Sequence, residues 1–225
     1  MRKKQERIGV IDFFRGLLII GMVIYHLGYS LSDIFHVEIN FNNQIIHYIQ
    51  FLGVSLFILI CGIASNFSRN NLKRGIIMLL MALLISLITY LYNPNFYIKF
   101  GILHFLGSAT IIYHLYKKFN YQNLVYLLFF TICITVVFRQ IDVTNPYLFP
   151  LGLYNNAFSS SDYVPIFGFI IPFIIGNIIG KYIKEIKWRP TKFNDNVITT
   201  IGRQGLIIYL LHQPIIIGIL YLILR

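Results

Sequence analysis

Long apolar runs separated by short polar breaks dominate the chain. They fall at roughly 10–30, 45–66, 74–92, 99–116, 122–138, 163–181 and 201–223. Each approaches the roughly 20 apolar residues that a helix needs to cross the hydrocarbon core of a bilayer, about 30 Å thick. The pattern predicts an all-α polytopic membrane protein, a bundle of about seven transmembrane helices with almost no soluble mass. No period of 20–50 residues and no low-complexity segment interrupts the pattern, so residues 1–225 are expected to form a single transmembrane domain.

Composition agrees. Of 225 residues, 57% are hydrophobic and 12% charged, with a mean hydropathy of +0.70. A soluble domain carries roughly twice that charged fraction. The net charge of +11 raises nucleic acid as a partner. Its placement excludes one: Lys and Arg sit at the ends of apolar runs, and no basic stripe is interleaved with exposed aromatics. The aromatic content of 16% suits the belts at membrane interfaces. Cys61 and Cys133 both lie inside apolar runs and form neither a disulfide framework nor a metal site, so no metal is expected. The start, Arg2-Lys3-Lys4 before an apolar run, has the look of a signal peptide. The run is about 20 residues long and no small-x-small cleavage site follows, so it is expected to stay as the first helix.

The distribution of positive charge predicts topology. The N-terminus and the breaks near 67–73, 117–121 and 182–200 hold, with their flanks, Arg2, Lys3, Lys4, Arg7, Arg69, Lys73, Arg74, Lys117, Lys118, Lys181, Lys184, Lys187, Arg189, Lys192 and Arg203. The opposite breaks hold Lys99, Arg139 and Arg225 beside Asp33, Glu38, Asp142 and Asp162. Seven spans then place the N-terminus in the cytoplasm and the C-terminus outside. The outer breaks 31–44 and 139–162 are long enough to carry function. Pro165 and Pro172 in the sixth run and Pro214 in the seventh free backbone carbonyls that need new partners. Gly176 and Gly180 suit a close helix–helix contact.

An ionisable group inside a membrane helix is costly and marks a candidate site. Arg15, His26, His104 and His212 meet that description. Arg15 and His26 are eleven residues apart, close to three full turns, so they share a helix face at a separation of roughly 16 Å. Asp12 lies one turn before Arg15 near the same face. A local ion pair with the Arg15 stem snorkelling is one reading; an anion site open to the cytoplasm is the other. His26 and His104 are expected at similar depth near the outer side, with Asp162 opening the sixth run there. The group reads either as a proton-transfer site or as a buried polar network. No HxxH or HxH spacing favours metal ligation. His212, followed by Gln213 and Pro214, reads as a ligand contact or as an interhelical hydrogen bond. His47 and His114 read as interfacial residues.

Several strings together carry a resemblance. Arg7-Ile8, then Ile11-Asp12-Phe13-Phe14-Arg15-Gly16, then Met22-Val23-Ile24-Tyr25-His26 opens the chain. Lys73-Arg74-Gly75 with Ala82-Leu83-Leu84-Ile85, FGILHFLG from Phe100 to Gly107, and Asp162-Tyr163-Val164-Pro165 follow in order. Gly202-Arg203-Gln204-Gly205 leads through Ile208-Tyr209-Leu210-Leu211 to His212-Gln213-Pro214. In order and spacing these strings resemble the heparan-α-glucosaminide N-acetyltransferase catalytic-like family, nearly end to end. Two positions depart from its bacterial members: Ser30 where an acid is common, and Gly205 where Ser is common. The extra helices and lumenal domain of eukaryotic members are missing, so a glycosaminoglycan acceptor is not expected.

The resemblance implies transmembrane acyl transfer. Acetyl-CoA or another acyl-CoA in the cytoplasm would supply the acyl group, and a sugar or small molecule near the outer face would accept it. In that scheme Asp12, Arg15, Arg203, His212 and Gln213 bind the co-substrate. His26 is the general base, with His36 as second choice, Asp162 orients it, and His104 or backbone donors stabilise the oxyanion. The expected location is a bacterial plasma membrane, multi-pass, with the bilayer, the acyl-CoA and the acceptor as partners; a homodimer is one assembly left open. The competing hypothesis is a carrier or flippase in which the histidines relay protons. Seven spans without visible inverted repeats speak against it.

Overall fold

The computed structural model describes residues 8–39, 41, 43–141, 145, 147–155, 158–188 and 196–224. Arg2, Lys3, Lys4, Arg7, Asp142, Arg189, Lys192 and Arg225 from the charge pattern lie outside them. The protein is all-helical among the described residues: α1 (Gly9–Tyr29), α2 (Gln44–Ser65), α3 (Asn71–Tyr92), α4 (Ile102–Tyr116), α5 (Tyr121–Phe138), α6 (Ile166–Glu185), α7 (Val197–Arg203) and α8 (Gly205–Leu224). Asparagine side chains start three of them. Asn70, Asn120 and Asn196 accept the backbone N–H of Lys73, Asn123 and Thr199 at 2.9, 2.8 and 2.8 Å, each satisfying one orphan donor of a first turn.

Six of these helices are long and apolar enough to cross a membrane. The fourth apolar run, 99–116, yields α4, with 15 residues. At 1.5 Å per residue it spans only about 22 Å. Ten of its 15 residues are buried, and a helix apolar on every side belongs inside a bundle. The run expected from 99 begins as extended chain instead. Val164 N–H donates to Phe100 C=O at 3.0 Å, and Ser161 N–H to Tyr97 C=O at 3.3 Å. Those contacts hold 97–101 alongside 161–164 and delay both helix starts, so Asp162 precedes α6 rather than opening it.

The chain divides into two compact units, 1–60 with 188–225 and 61–187. In the first, α1 packs along α7 and α8. The seventh run, expected as one helix over 201–223, is broken there: Gln204, at φ −92° and ψ 12°, leaves the helical basin between α7 and α8. Past Tyr29, α1 widens into a π turn over Ser30–Ile34, where Phe35 N–H donates to Ser30 C=O at 3.1 Å.

In the second unit α3 packs on α4, and α6 on α5 and α4. Phe167 and Gly168 are non-helical within α6, Gly168 at φ 100°. Pro172 lies four residues after Gly168, so the carbonyl its missing N–H leaves without an i+4 donor is that of Gly168, at the break itself rather than inside the regular helix. The expected close contact at Gly176 and Gly180 is present. A Cβ on Gly180 would lie 2.6 Å from the Ile63 carbonyl oxygen, and one on Gly62 would lie 3.2 Å from Gly176 Cα.

Candidate functional site

One face of α1 carries most of the expected site. Asp12, Gly16, Ile19 and Ser30 are buried, and the spacing keeps them on one side of the helix. Asp12 is 7% exposed. Its Oδ1 accepts Arg15 Nη1 at 3.0 Å and its Oδ2 meets Arg203 Nε at 3.4 Å. Sequence spacing foresaw the first contact; the second comes from α7, 191 residues along the chain. One carboxylate between two guanidiniums leaves the cluster with one positive charge in excess. Arg15 Nε is buried and has no hydrogen-bond partner. A buried charged donor in that state favours an anionic ligand group.

Two glycines make this approach feasible. A Cβ on Gly16 would collide with the Ile198 carbonyl, and one on Gly202 with the Asp12 carbonyl. Only bare backbone lets α7 cross α1 closely enough for Arg203 to reach Asp12.

Further along α1, His26 meets His212 of α8 edge to face, with ring centroids 4.8 Å apart. His26 Nδ1 donates to the Met22 carbonyl at 2.9 Å. A carbonyl oxygen can only accept, so the proton of the neutral ring sits on Nδ1 and Nε2 keeps its lone pair. The same reasoning puts the His212 proton on Nδ1, which donates to the Tyr209 carbonyl at 2.7 Å. One turn past His26, Ser30 is fully buried and its Oγ accepts Gln213 Nε2 at 3.0 Å. Gln213 Oε1 is buried without a partner. The face thus unites Asp12, Arg15 and Arg203 in one cluster, and His26, His212, Ser30 and Gln213 along the next turns. Sequence reasoning noted Ser30 only as a departure from relatives; its i, i+4 spacing from His26 was the available signal.

His104 and Asp162 belong to the second unit, and both serve the start of α4. Asp162 Oδ2 accepts Ile102 N–H at 3.0 Å. His104 Nδ1 accepts Gly101 N–H at 3.2 Å, which assigns the ring proton to Nε2. Nε2 lies 3.2 Å from Ser86 Oγ, and Ser86 in turn donates to the Ile98 carbonyl at 2.6 Å. His36 is exposed in the loop after α1, at a left-handed φ of 53°.

A further buried polar group escaped the sequence reading. Asn177, 1% exposed on α6, donates to the Gly62 carbonyl at 2.8 Å and accepts the Tyr116 hydroxyl at 2.6 Å. Asn66 donates to the Asn177 carbonyl at 3.1 Å and accepts the Tyr113 hydroxyl at 2.8 Å. This network ties the end of α2 to α4 and α6. A lone Asn within an apolar run was the visible hint.

The family model described as heparan-alpha-glucosaminide N-acetyltransferase, catalytic, matches residues 7–214. Comparisons with curated proteins and with solved structures find no match in either.

Proposed function

The chain belongs to the heparan-alpha-glucosaminide N-acetyltransferase catalytic family, and from that premise we propose that it transfers an acetyl or other short acyl group from acyl-CoA to a sugar or small acceptor. Family membership makes it acyltransferase-like, and its apolar helices make it a multi-pass membrane protein. The donor, the acceptor and the catalytic base are part of this proposal. So is the topology, with the N-terminus in the cytoplasm and the acceptor at the outer face, which rests on the Lys/Arg asymmetry.

The tautomer of His26 carries the reading. With Nδ1–H tied to Met22, the ring is oriented and Nε2 is left as a base. An acceptor hydroxyl or amine attacks the thioester carbonyl while His26 Nε2 takes its proton. The C–O or C–N bond forms and a tetrahedral oxyanion results. Collapse breaks the C–S bond, and protonated His26 returns the proton to the departing thiolate, giving the free thiol of coenzyme A. His212, stacked edge to face, limits the tilt of the His26 ring. At the other end of the same face, Arg15 and Arg203 hold a phosphate of the donor, and the unpartnered Arg15 Nε fits that role. Gln213 Oε1 is an acceptor for an amide N–H such as those of a pantetheine arm.

Purified protein in detergent, given acetyl-CoA and an amino sugar, is expected to release free thiol only when the acceptor is present. Arg15→Ala is expected to weaken acetyl-CoA binding by more than about tenfold, the loss of one charge-assisted contact. Acceptor crossing proteoliposomes unmodified, with no thioester cleaved, would replace the acyltransferase reading with the carrier.

A further inference from the structure

The second unit contains a cavity of about 450 Å³ that the proposed transfer does not use. Its size lies within the range of small-molecule sites. Four cations line it, Arg69, Lys117, Lys181 and Lys184, against one carboxylate, Glu185. The balance of four positive charges against one negative leaves an excess of three.

These cations are positioned but not neutralised. Lys181 Nζ donates to the Phe119 carbonyl at 2.6 Å and stands 4.9 Å over the Tyr121 ring. Lys184 Nζ donates to the Asn66 carbonyl at 3.2 Å, and Lys117 Nζ lies 3.3 Å from His114 Nδ1. None of these partners is a carboxylate. Glu185 Oε2 accepts the Tyr121 hydroxyl at 2.6 Å. Among the described residues, none of the four cations lies within ion-pair distance of a carboxylate. Cations that converge on a cavity without counter-charge make it a site of anion attraction.

Asn71, one of the residues that line the cavity, carries a further acceptor. Asn71 is 5% exposed, and its Nδ2 donates to the Ser65 carbonyl at 3.1 Å. Its Oδ1 is buried with no hydrogen-bond partner. Turning the amide over would set Oδ1 against the Ser65 carbonyl, so the network assigns its orientation. A buried acceptor without a donor asks for a ligand hydroxyl or amine. Beneath the cavity, the hydrogen bonds from Tyr113 to Asn66 and from Asn66 to Asn177 hold its floor in one arrangement.

We propose that this cavity binds a phosphate ester that also carries a hydroxyl or amino group. The cations take the phosphate oxygens and Asn71 Oδ1 accepts from the second group. The site shares no residue with the Arg15–Arg203 cluster, and the proposal does not rest on that cluster. Two sources have this chemistry: the nucleotide portion of coenzyme A, and the headgroup of an anionic lipid such as phosphatidylglycerol.

The test uses the full chain and two probes. Coenzyme A, with no acyl group to transfer, is titrated calorimetrically in neutral detergent. Phosphatidylglycerol retention is read by native mass spectrometry after release from mixed phosphatidylcholine and phosphatidylglycerol nanodiscs. Arg69→Gln removes a charge from an exposed side chain; combined with Lys184→Gln it is expected to lower one of the two signals by at least about tenfold. Glu185→Gln keeps an acceptor for Tyr121 while deleting the lone negative charge, so it is expected to strengthen the same signal. Melting temperature of the Arg69→Gln variant is expected to match wild type. The probe that responds names the source. Wild-type protein holding neither probe, or both signals unmoved in all variants, overturns the proposal. Coenzyme A binding lost in Arg15→Ala, with both probes indifferent to the cavity variants, overturns the cavity and leaves the acyltransferase reading standing.

Discussion

His26 on α1 and His104 on α4 look equivalent as imidazoles in apolar helices, yet their surroundings differ at the second ring nitrogen. His104 has both nitrogens engaged: Nδ1 accepts from Gly101 and Nε2 meets Ser86, whose own proton goes to the Ile98 carbonyl. That chain closes on itself and fixes the start of α4. His26 has Nδ1 tied to the carbonyl one turn back and Nε2 without a hydrogen-bond partner among the described residues. A closed network rigidifies a fold, whereas an oriented ring with a lone pair to offer has the form of a base. The acids follow the same division. Asp162 caps α4 through Ile102, while Asp12 gathers two guanidiniums from different helices.

The largest effect that tests this contrast belongs to His26. His26→Ala is expected to slow acyl transfer by about 10²–10⁴, the usual size of lost general-base catalysis. Acyl-CoA affinity, measured on the same preparation, is expected to stay near wild type. An active His26→Ala with a dead His36→Ala would move the base to the outer loop.

His104→Ala is expected to act on stability instead. It leaves the Gly101 N–H and the Ser86 hydroxyl short of a partner, at about 1–3 kcal/mol for a buried group left unsatisfied. A lower midpoint in a thermal scan, with the folded fraction transferring acyl groups at close to the wild-type rate, is the expected result. A rate loss as large as that of His26→Ala at unchanged midpoint would erase the contrast.

The smallest effect is that of Ser86→Ala. It removes two links, the acceptor of the His104 Nε2 proton and the donor to the Ile98 carbonyl, each with a net worth of about 0.5–1.5 kcal/mol. Destabilisation by Ser86→Ala in a His104→Ala background should shrink to the loss of the Ile98 bond alone, because the other link acts through His104. Additive effects would show that the two side chains act separately.

Much of the fold was legible because a bilayer imposes a length and a polarity on every crossing segment. The runs near 10–30, 45–66, 74–92 and 122–138 correspond closely to α1, α2, α3 and α5. The pairing of Asp12 with Arg15 was also local, three positions along one helix. Legibility failed where backbone contacts between distant segments intervened. The pairing of Phe100 with the Tyr163 region shortens α4 and displaces the start of α6, and no apolar count reports it. Gln204 interrupts a run whose hydropathy continues unbroken.

The sequence by itself determined that this chain is a helical membrane protein, because hydrophobic length and charge placement are properties of composition along a line. It also determined which ionisable groups stand out, because Arg15, His26, His104 and His212 are rare polar positions in apolar runs. Only the tertiary structure decided what each one touches. Arg203 reaches Asp12 because Gly16 and Gly202 let two backbones touch, and Lys117, Lys181 and Lys184 converge on one cavity because the ends of α4 and α6 meet there. Hydrogen bonding and charge act over a few ångströms in space, and that proximity does not exist until the helices pack.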